Sequence, residues 1–229
     1  MTSMAATRPD DEIGSGALSR WSAVMYWFLA VGAMILLTSA PGLVLLQLLD
    51  RDASNVPLVA LACVPFAPSV AAALFAWRVF RQDRDLSPAR HFWRGYRLDV
   101  LDVLRWWVPT VAVLAVIAVN LTHLGTAGIP PVLGIALGAV ALLIVLWSGH
   151  ALVLSALFSF RTRDVARLGA YFIAAKPLVT LGFVSVLILT AAVTYVSDWL
   201  LALLAAPLTF LYARTAAPVV AAAEAQFTA

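Results

Sequence analysis

The chain has 229 residues, 63% of them hydrophobic and only 12% charged, with a formal net charge of +3. Soluble domains carry roughly 25% charged residues, so a water-facing globule is excluded and an all-α polytopic membrane helix bundle is expected. The excess of base does not point to nucleic acid, because the basic residues flank apolar runs, where such charges set topology.

Residues 1–20 are polar, carry Asp10, Asp11 and Glu12, and read as a disordered tail. No signal peptide is expected, because the first apolar run is too long and Pro41 follows the only small-residue site, Thr38-Ser39-Ala40. The 29 residues 21–49 are uncharged and form span one, with Pro41-Gly42 as a point of bending. Asp50-Arg51-Asp52 and Ser54-Asn55 make a turn. Span two covers about 56–77 and contains Pro57, Pro65 and Pro68, so neighbouring helices must satisfy the carbonyls those prolines free.

Seven arginines follow between Arg78 and Arg105. Within this segment residues 86–105 read as a cytoplasmic amphipathic helix, with Ser87 at the N-cap and Pro88 in the first turn. Phe92, Trp93 and Tyr96 share one stripe, and Arg90, Arg94, Arg97 and Arg105 a second. Such a helix lies in the membrane interface facing anionic lipid headgroups, or presents a docking surface to a protein. Gly95 is a place where it could kink.

Residues 106–160 are 55 in number and uncharged, too many for one crossing. The segment Gly125-Thr126-Ala127-Gly128-Ile129-Pro130-Pro131 divides them into span three, about 106–124, and span four, about 131–158. The second basic cluster, Arg161, Arg163, Arg167 and Lys176, needs no explanation beyond topology. Span five is 177–197. Span six, 199–213, has 15 uncharged residues. That is ~22 Å of helix against a ~30 Å core. Either Arg214 snorkels to the interface, or the helix continues toward Ala223 with Arg214 facing protein.

Residues 21–223 thus form one transmembrane domain of about six spans. Both basic clusters fall on the side of the N-terminus, which places both termini in the cytoplasm. Trp21, Trp77, Trp106, Trp107 and Trp199 sit at span ends, where amphipathic rings favour the interface. Ala72–Arg78 echoes Ser155–Arg161, a hint of internal duplication.

Chemistry is sparse. Cys63 is the single cysteine, His91, His123 and His150 have no metal-ligand spacing, and no phosphate-binding loop is present. No carboxylate falls deep in a span, since Asp50, Asp52 and Asp198 sit at span ends, so neither an enzyme nor a cofactor is expected. The candidate intramembrane polar residues are His150 in span four, Asn120 in span three and Arg214. Gly134 and Gly138 could allow close helix packing.

Three segments carry a resemblance: Leu36–Gly42, Ala67–Phe75, and Arg81–Asp85 followed by Phe92-Trp93-Arg94-Gly95-Tyr96-Arg97. Over about residues 25–110 the chain resembles the YesL-like family of bacterial multi-pass membrane proteins, which carry a domain of unknown function. It differs in placing Leu43–Val64 between the proline of span one and the matching part of span two. The resemblance implies the bacterial plasma membrane and a non-enzymatic accessory role beside carbohydrate importers of the ATP-binding-cassette (ABC) type, whose subunits would be its partners. The alternative is a small autonomous transporter with its path near span four.

Overall fold

The computed structural model describes residues 17–50, 52–82, 87–124 and 130–227. Residues 1–16 of the tail expected over 1–20, Arg51, Arg84 and residues 125–129 of the break expected over 125–131 lie outside them, while residues 17–20 are helical. Among the described residues every element is helical: α1 (Ala17–Leu48), a 3-10 turn (Ala53–Asn55), α2 (Val56–Cys63), α3 (Phe66–Gln82), α4 (Pro88–His123), α5 (Pro131–Leu157), α6 (Thr162–Ala175), α7 (Pro177–Val196), α8 (Asp198–Thr215) and α9 (Ala217–Phe227). Among the described residues, five helical stretches are long and apolar enough to cross a membrane. A sixth is added if α8 and α9, bent by 44° at their junction, count as one span. The chain is a multi-pass membrane helix bundle.

Span two is broken where its prolines predict. α2 stops at Cys63 and α3 starts at Phe66, because Pro65 has no N–H to continue the ladder. The carbonyl of Cys63 is satisfied from the neighbouring helix, by Trp107 Nε1–H at 3.1 Å. Ser69 Oγ donates to the carbonyl of Pro65 at 2.8 Å. Gly42 of α1 is packed against this break, where an added Cβ would collide with the Ala62 carbonyl and the Pro65 ring.

α3 is the hub. Ala67, Ala71, Ala72, Ala73, Leu74, Ala76 and Trp77 are all buried, and the small residues let α1, α4, α5 and α8 approach its backbone closely. Aromatic rings fill the space at its C-terminal end. Phe28 and Trp77 have centroids 4.8 Å apart, Trp27 and Phe80 5.0 Å, and Trp77 and Phe210 5.1 Å. Trp77 is 0% exposed and Trp106 5%. Their indole N–H groups donate to Thr209 Oγ1 and Ser155 Oγ, so these two tryptophans belong to the core rather than the interface. Trp21 and Trp199 are exposed, as interfacial rings would be.

The amphipathic segment expected over 86–105 and span three form one unbroken helix, α4, of 36 residues. Pro88 opens it, and the Ser87 carbonyl accepts from the N–H groups of Arg90 and His91. The Ser87 hydroxyl makes no cap; it faces His91 Nε2 at 3.4 Å. Gly95 is a contact point, not a kink. An added Cβ would lie 2.8 Å from Cβ of Phe75, so the glycine sets how closely α4 meets α3.

The second basic cluster also forms an amphipathic helix, α6, which topology alone does not require. It buries Val165, Gly169 and Phe172 and exposes Arg163, Asp164 and Arg167. Trp147 Nε1–H donates to the Ala166 carbonyl at 3.0 Å, which fastens α6 to α5. The echo between Ala72–Arg78 and Ser155–Arg161 does not extend to conformation. α3 continues past Arg78 to Gln82, whereas α5 ends at Leu157.

Candidate functional site: the arginine face of α4 and its neighbouring cavity

The first half of α4 is anchored from within. Phe92 and Val103 are 0% exposed, so Phe92 belongs to the core and not to any docking face. Trp27 stacks on His91 with ring centroids 6.2 Å apart. The opposite side is open. Arg90, Arg94, Arg97 and Arg105 are all exposed, with Trp93 at 41% and Tyr96 half-buried beside them.

Trp93 and Tyr96 stack at 5.6 Å with their planes 6° apart, and the Arg97 guanidinium lies 5.3 Å from the Trp93 ring centroid. This is a cation–π arrangement. Arg105 pairs with Asp102 one turn back. The side chains of Arg90 and Arg94 have no hydrogen bond or ion pair to another described residue. Among the described residues the face therefore carries unpaired positive charge beside flat aromatic surface, which suits anionic headgroups or an acidic protein patch.

The structure does not bring the three intramembrane polar residues together. His150 is fully buried between α5 and α7, its ring 4.8 Å from that of Phe183. Its Nε2 is 3.0 Å from Thr180 Oγ1. The Thr180 hydroxyl also lies 3.1 Å from the Ile173 carbonyl, and a bond donated there leaves its oxygen to accept from the Nε2–H tautomer of His150. Nδ1 is left as an acceptor with no partner. Beside it, the Tyr212 hydroxyl donates to the Gly149 carbonyl.

Asn120 donates within its own helix to the Val116 carbonyl at 2.7 Å and lines an apolar groove between α2 and α4. Arg214 is exposed near the α8–α9 bend. A second helix carries the chain on to Phe227 after the turn at Ala216, but Arg214 does not face protein.

Sequence reasoning passed over two carboxylates. Asp99 and Asp102 border a cavity of about 240 Å³ between α3, α4 and the turn joining α5 to α6. The cavity is also walled by Trp106, Phe158 and Phe160. The available signal was two acidic residues, three apart, inside an otherwise basic stripe. Arg78 went unremarked for a different reason, since its partners Leu157 and Glu224 are remote in sequence. Among the described residues no group of three or more His, Cys, Asp or Glu side chains is placed to hold a metal ion. Comparisons with protein-family models, curated proteins and solved structures find no match to this chain.

Proposed function

We propose that this protein is a non-enzymatic accessory component of a membrane assembly, and that it docks through the arginine face of α4. One observation carries the reading: Arg90 and Arg94 project, exposed and unpaired among the described residues, from a helix whose other side is locked into the bundle by Phe92 and Val103. A rigid, charged, unpartnered face is what a docking helix requires. The placement of basic residues supports a cytoplasmic position for this face and for both termini.

The identity of the partner in this proposal, an ABC-type carbohydrate importer in a bacterial plasma membrane, rests on the family resemblance of residues 25–110. The transporter reading draws less support. His150 is packed and bonded, Asn120 is satisfied within its own helix, and neither cavity described above is lined by His150. The test is affinity capture of the full chain in mild detergent, followed by identification of the copurifying proteins. Importer subunits should be recovered with the wild type and lost with Arg90→Ala/Arg94→Ala. Recovery of the chain alone, or capture indifferent to both substitutions, would overturn the proposal.

A further inference from the structure

The cavity beside α4 is bordered by a carboxyl group whose Oδ2 has no partner among the described residues. Asp99 makes no hydrogen bond or ion pair with a described residue, and its Oδ2 is closed off from solvent. A carboxylate oxygen held in such a place without a cation or donor is strongly disfavoured. Two nearby guanidinium groups are engaged elsewhere, and Arg161, between the lining residues Phe160 and Thr162, is exposed and pairs with no described carboxylate. Arg105 is held by Asp102. Arg78 lies 5.8 Å from the Phe158 ring, but it is taken by the Leu157 carbonyl and Glu224.

The walls narrow the choice of counter-charge. Trp106, Phe158 and Phe160 offer ring surface, which suits a cation with an organic body. A hard metal ion wants six or more oxygen ligands, and aromatic walls supply none. Ser155 also lines the cavity, and its Oγ accepts from Trp106 Nε1–H with a second lone pair left for another N–H donor. The volume of about 240 Å³ suits a small ligand.

We propose that this cavity binds a small primary amine, its ammonium group on the Asp99 carboxylate and its aliphatic part against Trp106, Phe158 and Phe160. A primary ammonium is favoured over a quaternary one because Asp99 and Ser155 both call for N–H donors.

The test uses the full chain in lipid nanodiscs, titrated calorimetrically with n-butylammonium chloride. n-Butanol, tetramethylammonium chloride and sodium chloride at matched ionic strength serve as comparisons. Saturable binding of butylammonium is expected, with tetramethylammonium weaker and no saturable signal from butanol or sodium. Equal binding of butanol would mean a merely apolar cavity, and tighter binding of tetramethylammonium a different cation class; either overturns the proposal, as does absence of butylammonium binding.

Asp99→Asn should weaken butylammonium about tenfold or more, as loss of a charged hydrogen bond does. Unchanged affinity would sink the assignment. If Asp99→Asn does not fold, Ser159→Trp decides. Ser159 is an exposed position on the cavity wall, and a bulky ring there should abolish binding. Retained binding in that variant would exclude this cavity as the site.

Discussion

Arg78 Nη1–H donates to the carbonyl of Leu157 at 2.9 Å, joining the C-terminal part of α3 to the last turn of α5. The same guanidinium pairs through Nη2 with Glu224 of α9 at 2.8 Å. One side chain therefore satisfies a helix-terminal carbonyl that would otherwise lack a partner and ties down the final helix.

Arg78→Ala should lower stability by about 1.5–3 kcal/mol, the scale of a charged hydrogen bond lost with its partner left behind. Glu224→Gln removes the half-exposed ion pair with Arg78 and should stay within about 1 kcal/mol. Thermal unfolding of the two variants in one detergent checks the order. Equal effects would mean that the α9 contact, not the α5 carbonyl, is what matters.

Gly95 and Gly138 should respond oppositely to alanine. At Gly95 the new methyl meets Cβ of Phe75 at 2.8 Å, so α3 and α4 must separate, at about 1–3 kcal/mol. At Gly138 nothing lies within 4 Å. There alanine should be neutral or stabilising by up to about 1 kcal/mol through helix propensity. The melting temperatures of the two variants decide it. A neutral Gly95→Ala would show that the α3–α4 approach is looser than described.

Trp77→Phe should keep most of the packing while removing the bond to Thr209, a loss of about 1 kcal/mol. Trp77→Ala should lose about 3–5 kcal/mol. If Trp77 were an interfacial anchor, both substitutions would be mild. Denaturant titration in mixed micelles distinguishes the two positions.

His150→Leu should cost less than about 1.5 kcal/mol, because the Thr180 hydroxyl keeps its bond to Ile173 when the imidazole is removed. Capture of partners should be unaffected. A variant that folds and still captures partners, yet abolishes a measured solute flux in proteoliposomes, would favour the transporter reading over docking.

Much of the bundle was legible because its signals are local. Uncharged length located the spans, and Pro57, Pro65 and Pro68 marked span two as the one that breaks. What escaped was mostly non-local. Trp77 and Trp106 have the sequence positions of interfacial rings. Only the arrival of Thr209 and Ser155, from 132 and 49 residues away, makes them core. α6 was missed although Val165, Leu168 and Phe172 recur at helical spacing, because the neighbouring arginines already had an explanation in topology. Within the candidate site the arginine stripe was visible as a pattern. Phe92 shared the aromatic stripe with Trp93 and Tyr96, and only packing against the bundle separates it from them. The cavity around Asp99 needed α5 and the start of α6 to close it.

The continuity of α4 has a consequence for how the arginine face is held. Thirty-six residues without a break make one rod of about 54 Å. The face that carries Arg90 and Arg94 is therefore keyed in height and in azimuth to the apolar turns that follow Trp106. One residue inserted between Arg105 and Trp106 would swing the face by about 100° relative to the span, a complete change of heading with no loss of composition or charge. A flexible linker at that point would let a partner approach from any direction; this chain fixes a single bearing.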